Sequence, residues 1–195
     1  MRVLLLLLVL SALPAPAEEP LVLRLTLVLF AGGAWTEGEA VTAAREAAHI
    51  LGQCGIAPAR MEIVRADEAP GFRLFHTPRS RALARKLQPR KPAVFFVDGT
   101  LQNPAYDAEA IGRGNSGSRP ELANTVWVVH DARDPGVALA HELAHVLMDS
   151  GEHSVEPGNL MRGETTPLNT RLTDAQCTRL REMGVANGLL DRASR

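Results

Sequence analysis

The chain has 195 residues, of which 46% are apolar, 22% charged and 4% aromatic, with 16 Gly and 13 Pro. That composition excludes a disordered, collagen-like or repeat-built protein, and the length suits one domain of moderate size. With 21 Lys and Arg against 22 Asp and Glu the formal charge is −1, so no overall attraction draws the chain to nucleic acid or to an anionic membrane.

At the N-terminus Arg2 precedes an apolar run, Val3 to Leu13, followed by Ala15-Pro16-Ala17. A basic start, a short apolar core and a small-x-small triplet are the parts of a secretory signal peptide. The run falls well short of the ~20 residues that cross a bilayer. Glu18-Glu19-Pro20 then breaks the apolar character, which opposes the alternative of an uncleaved membrane anchor. Residues 1–17 are expected to be removed near Ala17. Residues 18–195 should then form a single domain, secreted or periplasmic, monomeric and without membrane attachment. Export leads into oxidising surroundings, where the only two cysteines, Cys54 and Cys177, have one possible pairing. A Cys54–Cys177 disulfide is expected, with two buried thiols as the alternative.

Leu21 to Phe30 alternates about Arg24 and Thr26 as a strand with one polar face, ended by Gly32-Gly33. Thr36 to Gln53 carries Val41, Ala44, Ala48 and Leu51 at helical spacing, with Thr36 as a cap and Gly55 as the stop. Met61 to Val64 suits a second strand, and Ser80 to Leu87 a short basic helix. Ala93 to Val97 reads as a buried strand, stopped by Asp98-Gly99. Thr100 to Pro120 should be a long surface loop with room for one short edge strand. Val126 to Val129 is the next strand, and Pro135 opens a helix from Gly136 to about Asp149. Thr173-Asp174 begin a closing helix that runs to about Met183. Strands and helices alternate early and helices dominate late, the pattern of an α/β (α+β) fold with a mixed twisted sheet packed on helices.

The stretch Arg79, Arg81, Arg85, Lys86, Arg90, Lys91 has no interleaved aromatics, so it reads as a solvated face rather than a nucleic-acid site. The chemistry lies in His141-Glu142-Leu143-Ala144-His145, the H-E-x-x-H arrangement of zinc sites. Residues four apart lie one above the other on a helix, so His141 and His145 can bind one ion while Glu142 stands beside it. A catalytic zinc needs a third protein ligand. His153 is the nearest candidate, and Asp149, Glu152, Glu156 and Glu164 are rivals. The turn that would bring His153 back is sought at Asp149-Ser150-Gly151, with Gly151 as its glycine.

The run His153-Ser154-Val155-Glu156-Pro157-Gly158-Asn159-Leu160-Met161 resembles the metzincin zinc peptidases, and most closely their matrixin branch. There Ser and then Pro follow the third His, and a Met lies eight residues beyond it, as Met161 does from His153. The resemblance implies His141, His145 and His153 as zinc ligands, Glu142 as general base and Met161 as the methionine of a Met-turn. It also implies a fold with a zinc helix, a Met-turn and a C-terminal helix. The sequence departs from the family pattern in two places. Seven residues instead of five separate His145 from His153, and Met148 stands where the family has its helix-ending Gly.

By this resemblance the chain is expected to be a secreted zinc endopeptidase acting on a protein or peptide substrate. In that chemistry zinc acidifies water and polarises a carbonyl, while a carboxylate carries the proton to the leaving amine. The resemblance also implies an edge strand antiparallel to the bound peptide, with Asp107 to Gly114 in the matching place, and a peptide laid along it would gain main-chain hydrogen bonds. The alternatives are a metzincin-like zinc-binding interaction protein and a zinc amidase acting on a non-protein amide.

Overall fold

The computed structural model describes residues 20–101, 110–113 and 120–193, with only the backbone of residues 58–59 and 110–113. The expected signal peptide and residues 107–109 and 114 of the expected edge strand lie outside the described residues.

In chain order the elements are β1 (Leu21–Phe30), α1 (Glu37–Leu51), β2 (Ile56–Ala66), β3 (Leu74–Phe75), α2 (Thr77–Leu87), β4 (Ala93–Val97), β5 (Gly99–Thr100), β6 (Ala110–Arg113), β7 (Thr125–Val129), α3 (Pro135–Met148), α4 (Asp174–Ala186) and β8 (Leu190–Arg192). The main sheet runs β2-β1-β4-β7-β6, and β8 adds to β1 ahead of the point where β4 begins. β1, β2, β4 and β7 are mutually parallel, whereas β6 closes one edge antiparallel to β7. This is the mixed α/β sheet packed on helices that the chain pattern called for.

The alternation along β1 sets the two cores. Leu23, Leu25, Leu27 and Leu29 face a core shared with α1, α3 and α4, while Val28 and Phe30 face a second core under α2. Burial at this scale supplies the main driving force for the layers. α1 is alanine-rich on its buried side, through Ala40, Ala43, Ala44, Ala47 and Ala48, and that lets α3 come close. A Cβ on Gly136 of α3 would stand 2.7 Å from the Cβ of Glu46, so the contact admits glycine only. Thr36 and Glu39 form a reciprocal capping box at the start of α1.

The starts of β2 and α2 differ from the sequence reading. β2 begins at Ile56 instead of near Met61, because a register shift between Ala57 and Arg60 accommodates Pro58 on an edge strand. α2 begins at Thr77, with Pro78 in its first turn. Three of its four basic residues face carboxylates: Arg81 and Arg85 pair with Glu121, and Lys86 with Glu68 at 2.6 Å. Cys54 and Cys177 are joined in a disulfide, S–S 1.97 Å, that ties the end of α1 to the first turn of α4. Among the described residues no helix is long and apolar enough to cross a membrane.

Lys91 is a half-buried cation just ahead of β4, donating to the Glu121 carbonyl at 3.2 Å, and partial burial pushes its ammonium down to about 8. Its unfolded counterpart holds the proton up to about 10.5. Between those values the unfolded chain binds more protons, so folding stability should rise with pH from about 8 to 10.5. Lys91→Met should flatten that rise in urea titrations across the window. An equal slope in both proteins would mean that the ammonium is solvated.

Candidate metal centre

α3 is buried along nearly its whole surface, with only a few positions, Glu142 and His145 among them, reaching partial exposure. Such a helix belongs inside a fold, and here it lies between the sheet, α1 and α4. Its two histidines are one turn apart, His141 in the middle of the helix and His145 in its last turn. His141 is only 4% exposed and His145 is half-buried, with their rings edge to face at 4.6 Å.

The chain leaves α3 by a left-handed residue, Asp149 (φ 47°, ψ 51°), whose N–H reaches the carbonyls of His145 and Val146. Asp tolerates this conformation because its short polar side chain can satisfy local groups. The turn is therefore made at Asp149, and the expectation that Gly151 makes it is corrected: Gly151 has no positive φ. The helix ends at Met148, so the reversal is complete before Gly151 is reached. Beyond it, Ser154 donates its N–H to the Met161 carbonyl at 2.7 Å and bridges to Arg162. That pairing fixes the strand-like segment that carries His153.

The three histidines converge. His145 Nε2 lies 3.0 Å from His141 Nε2 and 3.3 Å from His153 Nε2. The other ring nitrogens face carbonyls, His141 Nδ1 at 2.7 Å from Leu160 O and His145 Nδ1 at 2.6 Å from Ser150 O. A carbonyl oxygen only accepts, so both Nδ1 atoms carry the proton and both Nε2 atoms present lone pairs. Two lone pairs 3.0 Å apart repel unless a cation lies between them. Donors about 2.0–2.1 Å from a tetrahedral ion stand about 3.3 Å from one another, close to the spacing here. The pinning of Nδ1 by carbonyls is also what orients imidazole ligands at metal centres. The group could therefore hold a metal ion.

Burial, together with the His141 and His153 rings, pushes His145 down to about 4, and burial also lowers His141. Both rings are thus neutral and ready to ligate at neutral pH. Glu142 follows His141 directly and is half-buried. Met161 is buried in the core that packs on α3, 1% exposed.

The rival ligands stay apart, since among the described residues the group of three consists of His141, His145 and His153. Asp149 serves the helix end, Glu152 is exposed near Arg179 at 3.9 Å, and Glu156 and Glu164 are exposed. His130 packs edge-on against Trp35, with ring centroids 5.3 Å apart.

Sequence reasoning missed the residues that hold the site from behind. Asn159, 3% exposed, exchanges amide hydrogen bonds with Gln176 of α4, and its Oδ1 also accepts the Met161 N–H at 2.9 Å. Leu160, between them, supplies the carbonyl to His141. No local pattern signals such a pair, because its two members lie 17 positions apart and meet only through the fold.

The sequence matches no family model and no curated protein. Solved structures do match: metalloproteinase-II from Bacteroides fragilis superposes with a TM-score of 0.59 at 21% identity, over 87% of this chain and 55% of that one. This chain thus spans about half the length of that protein. At that identity the likeness is one of fold, and it is consistent with the zincin-like arrangement of sheet and helices described above.

Proposed function

We propose that the chain is a zinc peptidase of metzincin type, exported and freed of residues 1–17, that hydrolyses a protein or peptide substrate. The observation that carries this reading is the convergence of three imidazole Nε2 atoms whose Nδ1 protons are held by carbonyls or, for His153, whose backbone is fixed by the Ser154–Met161 pairing. His141, His145 and His153 hold the ion, and Met161 belongs to the turn beneath it. Zinc in such a set supplies Lewis acidity, activating water and polarising a carbonyl.

Glu142 takes the proton of the attacking water on a carboxylate oxygen and returns it to the leaving amine. Glu142 follows His141 on α3 and is not part of the group of three histidines that could hold the ion. β6 lies at the sheet edge next to α3, and among the described residues no strand pairs with its outer side. An extended peptide added there would gain main-chain hydrogen bonds and be led across the site. The disulfide suits an oxidising, extracytoplasmic location.

The test is casein hydrolysis by zinc-loaded residues 18–195 beside Glu142→Ala at matched zinc content. Cleavage by the parent, abolished by a chelator and reduced at least a hundredfold in Glu142→Ala, is the expected result. If both hold zinc and neither cleaves casein or a peptide panel, the histidines serve a binding function or a non-protein amide, and the peptidase reading falls.

A further inference from the structure

We propose that Gln176, on the first turn of α4, is a positioning residue of the metal centre, acting through Asn159 and the Leu160 carbonyl on His141. This rests on the reading of the three histidines as a metal site. All four amide atoms of the Asn159–Gln176 pair are engaged. Asn159 Nδ2 donates to Gln176 Oε1 at 2.9 Å, and Gln176 Nε2 donates back to Asn159 Oδ1 at 3.2 Å. Each oxygen accepts a second bond from a backbone N–H, Thr173 to Gln176 Oε1 at 2.8 Å and Met161 to Asn159 Oδ1 at 2.9 Å. Because those backbone groups can only donate, they fix which way both amides face.

The consequence reaches the histidine through one residue. Leu160 is fully buried, its N–H is held by the Arg171 carbonyl at 2.6 Å, and its own carbonyl receives His141 Nδ1 at 2.7 Å. With Asn159 clamped on one side and Met161 N–H on the other, the Leu160 peptide plane has one orientation. Water cannot replace a lost partner at a fully buried residue, so releasing Asn159 leaves the Met161 N–H unsatisfied and frees that plane to turn. The His141 ring then loses the carbonyl that sets its tautomer and direction.

Gln176 also closes the capping box of α4 with Thr173, which supplies the control. Thr173→Ala breaks the cap without touching Asn159, whereas Gln176→Leu breaks both. The measurements are zinc affinity by chelator competition and the visible spectrum of the cobalt-substituted protein, made on residues 18–195 with melting temperature in parallel. Gln176→Leu should weaken zinc about 10- to 100-fold and alter the cobalt spectrum. Thr173→Ala should lower the melting temperature while its zinc affinity stays within about threefold. Asn159→Ala should match Gln176→Leu, and the double variant should lose no more than the larger single loss, since both act on one path. Gln176→Glu, which keeps the acceptor for Asn159 Nδ2 and Thr173 N–H, should recover part of the affinity. Equal zinc affinity and spectrum in Gln176→Leu and the parent would overturn the assignment. Absence of zinc binding in the parent would instead overturn the metal-site reading beneath it.

Discussion

His145→Ala is expected to lower zinc affinity by at least a thousandfold, the largest loss of any single substitution in the histidine group. His145 is the shared member, its Nε2 standing 3.0 Å from His141 and 3.3 Å from His153. His141 and His153 are further apart, with ring centroids at 5.4 Å. Without His145 the remaining pair offers only two protein ligands, one short of the three a catalytic zinc takes. Zinc bound to the folded state alone raises the melting temperature by mass action. The parent should therefore melt higher with zinc than with chelator, and His145→Ala should melt alike in both. The chelator-treated variant should itself be no less stable than the chelator-treated parent beyond the cost of one trimmed, half-buried ring. Retention of the zinc-dependent shift in His145→Ala would show that the ion sits elsewhere.

Replacing both cysteines, Cys54→Ala with Cys177→Ala, should cost about 4–5 kcal/mol at the loop-entropy limit. The bond joins residues 123 apart, and a tether of that span removes much of the freedom of the unfolded chain. For a domain whose whole stability is about 5–15 kcal/mol, the loss is a large fraction. Non-covalent contacts already cross the same junction. The Gln53 amide meets Thr170 O and Leu172 N–H, and Arg181 donates to the carbonyls of Cys54 and Gly55. Those contacts keep the folded geometry and do nothing for the unfolded ensemble. Urea unfolding of the double variant should thus show a lower midpoint with the three histidines still assembled in the folded state. A loss below about 1 kcal/mol would mean that the unfolded chain stays compact without the bond.

The elements that carry the site were legible because their signals are local. Pro135 followed by an apolar helix with His at four-residue spacing, and the helix starts at Thr36 and Thr173, depend on neighbours in sequence. What was not legible depends on neighbours in space. β8 is three residues long and exists because Leu190 to Arg192 meets Leu21 to Leu23. α4 runs past Met183 through Gly184, a helix-weakening residue by propensity, and glycine stands there because a Cβ would lie 2.6 Å from the Leu190 side chain. The Asp149 turn was given to Gly151 since glycine is the usual left-handed residue. The amide pair behind His141 left no mark in either segment.

The disulfide has one more consequence, for the fate of a broken chain. A single proteolytic cut anywhere between Gly55 and Gln176 leaves two pieces that still share the Cys54–Cys177 bond. One piece carries α1, the other α4, and they stay together after denaturation until a reductant is added. Nicking by a protease is therefore invisible on a non-reducing gel, and the nicked form can keep its histidines assembled.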